Sequence, residues 1–299
     1  MMKRRRFLAI SAAALATPAR AQTTLWRGYA MGAEVSLTLD ADPATAAPAL
    51  AQLQRILGQC EDLFSLYRSS STISRLNRAG YLVEPAPDFL RLLEACDEAF
   101  RVTEGRFDPT VQPLWSAEAN AQLAVRARQL IGWDRVRFSS DQITLGPGQA
   151  LTLNGIAQGY ATDQVARALR KSGWSKVLVN IGEYYAAGRY WMLGLSDPDH
   201  GIVDTLALKN RAVATSSPNA LRLRSGQPHI LNPKGNQEPQ WSTVSVQAAD
   251  ATSADALSTA LCHATAAEIE DMLARAQGNP TASCVSWDGT LTTFPRYMK

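Results

Sequence analysis

Two oxygen-bearing side chains, Asp255 and Thr259, stand four residues apart in a segment that is predicted to be helical. Side chains at this spacing lie on the same face of a helix. A carboxylate and a hydroxyl, together with backbone carbonyls, are hard oxygen ligands that suit Mg²⁺ held jointly with substrate phosphates. An acidic residue in the first turn of a helix capped by Thr252 or Ser253 is also favourable for the helix itself. The spacing alone therefore leaves a magnesium site and a purely structural role both open.

A glycine-containing turn precedes another predicted helix. Leu151 and Leu153 alternate with polar neighbours, which predicts a short strand, and the apolar spacing predicts a helix over residues 157–173. Gly155 and Gly159 permit a tight turn or a close backbone approach. A helix that begins after such a turn directs free N–H groups toward a phosphate or pyrophosphate. The pattern is neither the dinucleotide fingerprint GxGxxG nor a Walker loop, so an ordinary strand-to-helix turn is the alternative.

Further polar side chains stand in predicted loops. His229 is one of three histidines; it is placed to accept a proton near neutral pH, or to serve only as a hydrogen-bonded structural residue. Asp108 precedes a proline and by itself indicates a turn. Thr215, Ser216 and Ser217 follow a predicted strand, where their hydroxyls would bind a phosphate or close a turn.

The order and spacing of these segments resemble the ApbE-type FAD:protein FMN transferases. The resemblance extends from about residue 31 to about residue 262 and depends on several short motifs rather than on one. In chain order the motifs are GRFDPTVQPLW at 105–115, ALTLNGIAQGYATD at 150–163, VNIG at 179–182, ATSS at 214–217, HILNP at 229–233 and ADALSTA at 254–260.

The resemblance implies one site for FAD and Mg²⁺. The family's metal-binding Asp-x-x-x-Thr pair matches Asp255 and Thr259, and the third protein ligand, a backbone carbonyl in the glycine turn, falls at Gly155. The family's histidine that activates the acceptor hydroxyl matches His229, which is the predicted catalytic residue. The residues predicted by resemblance to contact FAD are Met31, Tyr67, Arg106, Phe107, Asp108, Thr152, Gln158, Ile230 and Leu231.

The reaction implied by the resemblance is a transfer in which FAD is the substrate. A Ser or Thr hydroxyl of an exported or membrane-bound flavin-acceptor protein attacks the FMN-side phosphorus of FAD, a phosphoester bond forms, and AMP leaves. Thr152, Gln158 and Glu183 depart from the residues usual in the family, which are Asp, Lys or Glu, and Gly respectively. Two other hypotheses stay open: a Mg²⁺-dependent FAD pyrophosphatase that uses water, and a non-catalytic flavin-binding assembly factor.

The first 21 residues have the pattern of a twin-arginine signal peptide. RRRFL at 4–8 matches RRxFL, the apolar run at 7–16 is too short to span a membrane, and ARA at 19–21 is typical of a cleavage site. Its removal takes away five basic residues and no acidic one, so the formal net charge falls from +3 to −2. Nothing in that charge indicates a nucleic-acid partner. We expect a periplasmic protein, and the departures from the family pattern resemble those of exported NosX-like members.

The remaining residues, 22–299, are predicted to form one α+β domain of short, mostly antiparallel strands with packed helices and FAD in a cleft. Cys60 and Cys96 lie on apolar helix faces, which indicates buried free thiols. Predicted helices cover 49–64, 71–77, 89–100, 121–130, 157–173, 254–262 and 266–276, and predicted strands cover 25–39, 133–145 (a hairpin), 151–153, 176–181, 191–195, 205–208, 212–214, 221–223, 241–248, 284–287 and 291–294.

Overall fold

The computed structural model describes residues 23–117 and 120–295. The predicted signal peptide therefore lies outside the described residues. The described chain has the predicted α+β architecture, a single domain in which helices pack on an antiparallel sheet. No helix in these ranges combines the length and apolarity that crossing a membrane would require.

The main sheet has eight strands, and each neighbouring pair is antiparallel. Two smaller sheets accompany it, one of three strands and one a two-stranded hairpin. The main sheet, in spatial order, is β1 (Thr24–Ala30), β2 (Ala33–Leu39), β6 (Val177–Ile181), β7 (Tyr184–Ala186), β10 (Arg211–Ser216), β11 (Thr243–Ala248), β12 (Thr281–Val285) and β13 (Leu291–Phe294), and the other strands are β3 (Tyr81–Val83), β4 (Arg137–Phe138), β5 (Gln142–Thr144), β8 (Trp191–Asp197) and β9 (Gly201–Leu208).

Eight α-helices occur in the described ranges, and two of them, α6 and α7, pack directly on the main sheet and on each other. Helix α1 packs on α6 from outside. The helices are α1 (Pro43–Phe64), α2 (Thr72–Ala79), α3 (Pro87–Val102), α4 (Gln112–Ala117), α5 (Ala121–Arg128), α6 (Ala157–Lys171), α7 (Ala251–Leu261) and α8 (Ala266–Arg275).

Strand β6 is buried on both faces, as its continuous apolar run predicts. Val177, Val179 and Ile181 belong to the large hydrophobic core beneath the helices. Leu178, between them, belongs to a second cluster formed with the β8-β9 hairpin, which includes Leu193. The hairpin therefore covers the sheet face opposite α6 and α7. Because both faces of β6 are buried, its sequence does not alternate between apolar and polar residues.

Three strand predictions are wrong. Residues 25–39 form two strands joined by a two-residue turn, not one strand. Residues 221–223 make only an isolated bridge from Arg222 to Pro228. Leu151 and Leu153 are fully buried but belong to no strand. Instead, the Asn77 side chain accepts from the Leu151 N–H at 2.7 Å and donates to its carbonyl at 2.8 Å, replacing a strand neighbour.

Helix caps account for the ends of two helices near the candidate site. Ser71 caps α2 as predicted and accepts from the Ser74 N–H. Helix α7 is capped by Asp250 rather than by Thr252 or Ser253, so Asp255 lies beyond the first turn and its position owes nothing to capping. All four cysteines are buried and free, which confirms the prediction for Cys60 and Cys96.

Candidate active site

All thirteen predicted site residues line one cavity of about 470 Å³ between α6, α7 and the loops at the sheet edge. This volume is within the usual range of small-molecule sites. The cavity wall is made of 31–33, 61 and 64–68, 106–109 with 111 and 115, 152, 154, 155, 157 and 158, 182–183, 215–217, 220–221, 229–231 with 233, and 255 with 259. The long-range motifs of the sequence therefore meet at one place, although a shared cavity does not by itself assign roles to them.

Asp255 lies where α6 and α7 cross, and it is 4% exposed. Its Oδ2 accepts a hydrogen bond from the Gly159 N–H at 2.9 Å, in the first turn of α6. Burial raises the pKa of the Asp255 carboxyl, while this hydrogen bond opposes the rise. A β-carbon on Gly159 would stand 2.2 Å from the Ala251 carbonyl oxygen, so only glycine lets the two helices approach this closely.

The same contact engages part of the helix start that was predicted to face a phosphate. The Ala157 N–H donates to the Leu153 carbonyl and the Gly159 N–H to Asp255, so neither is free for a phosphate. The positive end of the helix dipole is instead directed at a carboxylate of the chain itself, which favours the charged form of Asp255.

Oxygen atoms of the predicted cation ligands gather beside Asp255. A β-carbon on Gly155 would stand 2.9 Å from Thr259 Oγ1, so the glycine turn lies directly against this hydroxyl. Ser216 Oγ is 3.5 Å from the same atom. Over residues 23–117 and 120–295, no cluster of three or more His, Cys, Asp or Glu side chains forms a metal site. The predicted ligands are one carboxylate, one hydroxyl and one backbone carbonyl, and oxygen donors of these kinds fit a hard cation such as Mg²⁺.

His229 lies in a loop at the cavity, as predicted, and its ring is fixed from one side. Nδ1 is 3.0 Å from the Pro218 carbonyl oxygen and 3.1 Å from that of Leu221. Because carbonyl oxygens only accept, Nδ1 carries the proton and Nε2 has the free lone pair. Burial lowers the pKa of His229 below its usual 6.5, so the ring is neutral at pH 7. The ring is therefore ready to accept a proton.

Met31 forms the turn between β1 and β2 together with Gly32, and both have positive φ, 52° and 79°. Two such residues make the tight hairpin turn that matches strand twist, yet a left-handed Met is strained. The Glu61 carboxylate accepts a hydrogen bond from the Met31 N–H at 3.0 Å, and Gln158 Nε2 donates one to the Met31 carbonyl oxygen at 3.2 Å. The chain therefore holds this turn against the cavity at both peptide groups.

Arg106 and Asp108 line the cavity, but their polar atoms are engaged within the protein. Arg106 pairs with Glu268 and donates to the His263 carbonyl. Asp108 accepts from Thr110 N–H and Oγ1 and from the Trp133 N–H. In the described structure both side chains stabilise the loop wall.

The remaining predicted FAD contacts differ in exposure. Tyr67 is 67% exposed and Phe107 is 5% exposed. Thr152 is held by its N–H, which donates to the Pro109 carbonyl at 2.9 Å. Ile230 and Leu231 are half-buried beside His229. These residues give the cavity an apolar wall next to the polar one.

Two acidic residues that line the cavity, Glu61 and Glu183, are missing from the predicted set. Glu61 holds the Met31 turn, and its position at the end of a helix offers no motif that would identify it. Glu183 is 7% exposed and accepts from the Thr215 N–H at 3.1 Å. The sequence does signal Glu183, as a departure from the family pattern, but not that its carboxylate would lie near Asp255.

The fold and the cavity define a protein in which buried oxygen-bearing residues and a fixed histidine line the same cavity. Residues 31–283 match the sequence profile of the ApbE family, and the chain belongs to that family. Its relatives include the FAD:protein FMN transferase of Haemophilus influenzae, 26% identical with 73% of each chain covered. Among solved structures, the ApbE protein of Thermotoga maritima has a TM-score of 0.80 at 24% identity, covering 91% of this chain and 96% of that one. The apo flavinyl transferase ApbE of Pseudomonas stutzeri has a TM-score of 0.75 at 26% identity, covering 91% and 94%.

Proposed function

We propose that this protein is a Mg²⁺-dependent FAD:protein FMN transferase that attaches FMN through a phosphoester bond to a Ser or Thr hydroxyl of an exported or membrane-bound acceptor protein. The observation that carries the proposal is the pairing, in one cavity, of the Asp255, Thr259 and Gly155 oxygen set with a neutral histidine. Membership of a family whose relatives bear this name supports it.

Asp255, Thr259 and the Gly155 carbonyl would hold the cation. When bound there, Mg²⁺ would offset the negative charge of the FAD pyrophosphate. The cavity walls would hold FAD so that its phosphorus and the incoming hydroxyl meet, which removes the entropic cost of bringing the two substrates together.

His229 would take the proton of the acceptor hydroxyl on Nε2 as the hydroxyl oxygen bonds to the FMN-side phosphorus. The bond from that phosphorus to the bridging oxygen breaks, and AMP leaves with the electron pair. Hydrogen bonds from Nδ1 to the Pro218 and Leu221 carbonyl oxygens would keep Nε2 unprotonated before this step and hold the ring in place during it. No covalent enzyme intermediate is needed.

Export by the twin-arginine route to the periplasm is part of the same proposal. It is supported by the RRRFL pattern at 4–8. That route carries folded proteins, so the transferase would meet acceptors outside the cytoplasm.

The test uses the chain from Gln22 with FAD, Mg²⁺ and an exported flavin-acceptor domain. AMP is assayed, and flavin fluorescence is read from a denaturing gel. We expect a fluorescent acceptor band and AMP, both lost with EDTA and in Asp255→Asn. AMP without a labelled band would favour the FAD pyrophosphatase. Bound FAD with neither product would favour a non-catalytic assembly factor.

A further inference from the structure

Glu183 is fixed in the turn between β6 and β7 with its carboxylate toward the cavity. Its carbonyl accepts from Thr162 Oγ1 at 3.1 Å. The pairing of β7 with β10 ends at Tyr184 and Val213, so the Thr215 N–H two residues further lacks a strand neighbour on that side. Glu183 Oε2 accepts a hydrogen bond from this N–H at 3.1 Å, and the bond fixes the position of the Glu183 side chain.

Glu183 and Asp255 are two buried carboxylates on the same cavity, and each uses only one oxygen. Oε2 of Glu183 and Oδ2 of Asp255 accept backbone N–H groups, whereas the other oxygen of each accepts no hydrogen bond from the residues that the structure describes. Neither forms an ion pair within those residues.

Two buried carboxylates without a counter-charge destabilise a fold, and a cation between them removes that penalty. Thr259 and Gly155 supply hard oxygen atoms at the same place. A divalent ion accepts several such oxygens, and its affinity rises with the number of charged ligands. With the unused oxygens of both carboxylates, the ligands of the cation carry two negative charges, whereas Asp255 alone would supply only one.

We propose that Glu183 is a further ligand of the divalent cation, beside Asp255, Thr259 and the Gly155 carbonyl, and that the protein consequently binds this cation before FAD arrives. The inference rests on the cation site of the proposed function and adds a residue and an order of binding to it.

The experiment measures Mn²⁺ binding to the flavin-free mature chain by the loss of the free-ion electron paramagnetic resonance signal, with Mg²⁺ as competitor. The variants are Glu183→Gln, Glu183→Gly and Asp255→Asn. Glutamine keeps an oxygen for the Thr215 N–H, so it changes the charge and not the fold. Glu94→Gln, on the exposed surface of α3, is the matched control for loss of one negative charge. Circular dichroism checks that each variant is folded.

We expect the wild type and Glu94→Gln to bind Mn²⁺ equally, and both Glu183 variants to bind at least about tenfold more weakly. Residues that merely orient a metal's ligands already cost about tenfold to hundredfold in affinity when mutated. Binding by Glu183→Gln at wild-type strength, with Asp255→Asn inactive in binding, would overturn this inference and leave the proposed function standing. Absence of flavin-free binding by the wild type would also overturn it, while FMN transfer would still be judged by the gel assay.

Discussion

Three glycines allow the importance of the α6–α7 contact to be tested by adding a single methyl group at each. A β-carbon on Gly159 would stand 2.2 Å from the Ala251 carbonyl oxygen and 2.8 Å from Asp255 Cβ. Separations below 3.0 Å essentially do not occur, and backbone atoms cannot rotate away, so the two helices must move apart. Such overpacking costs about 1–3 kcal/mol, and we expect the upper end because both neighbours are rigid.

Gly58 in α1 is the matched control, because no other atom lies within 4 Å of the position that its β-carbon would take. In a helix interior, Gly→Ala stabilises by about 0.5–1 kcal/mol. The same gain applies at Gly159, so the difference between the two variants isolates the helix contact. Gly155→Ala is intermediate, since its β-carbon would meet only the Thr259 side chain at 2.9 Å.

Thermal unfolding and Mn²⁺ binding together separate the three cases. The overpacking cost of about 3 kcal/mol less the helix gain leaves a net loss of about 2–2.5 kcal/mol at Gly159. At about 2–4 °C per kcal/mol for a domain of this size, we expect Gly159→Ala to lower Tm by about 4–10 °C and Gly58→Ala to raise it slightly. Gly155→Ala should keep nearly the wild-type Tm yet lose Mn²⁺ binding, because Thr259 must turn away. A Gly159→Ala protein with wild-type Tm and Mn²⁺ affinity would refute the close packing of α6 on α7.

Three further outcomes are expected. His229→Gln should lower FMN transfer by about 10²–10⁴-fold while FAD binding is kept. Because burial lowers the pKa of His229 below 6.5, the wild-type transfer rate should decrease only at pH values below 6.5, where the ring becomes protonated. The residual rate of the variant should not show this decrease. Asn77→Ala should lower the free energy of unfolding by about 2 kcal/mol or more, because both polar groups of Leu151 lose their partner; unchanged urea unfolding would contradict this. Mg²⁺ at 100 times its Kd should raise that free energy by about 2.7 kcal/mol, and Asp255→Asn should abolish the rise in Tm.

Helical periodicity was the part of the fold that the sequence predicted well. Helices α1, α3 and α6 each bury one apolar face, and that spacing can be read locally. The alternation of Leu151 and Leu153 predicts a strand wrongly because alternation indicates burial and not strand pairing. The backbone of Leu151 is hydrogen-bonded to the Asn77 side chain of α2, which is distant in the sequence. Strand β7 could not be predicted from the sequence because three residues are too few to show a periodic pattern of hydrophobicity.

The candidate site could be located from motifs, but its electrostatics could not. Asp255 and Thr259 share a helix face, so their proximity follows from spacing. The contact from Gly159 to Asp255 depends on how two helices cross, which no local pattern encodes. The same holds for Arg106, whose guanidinium is engaged by Glu268 on α8.

Gln158 and Glu183 both lie at the turn between β6 and β7. The Gln158 amide lies 2.7–2.8 Å from where a β-carbon of Gly182 would stand, and its Nε2 donates to the Met31 carbonyl. The next residue after Gly182 is Glu183, which fixes the other side of the turn through Thr215. A neutral side chain over the glycine and a carboxylate beside it therefore form one corner of the cavity. For this reason we expect the effects of substituting Gln158 and Glu183 to be non-additive, because both side chains contact the same turn.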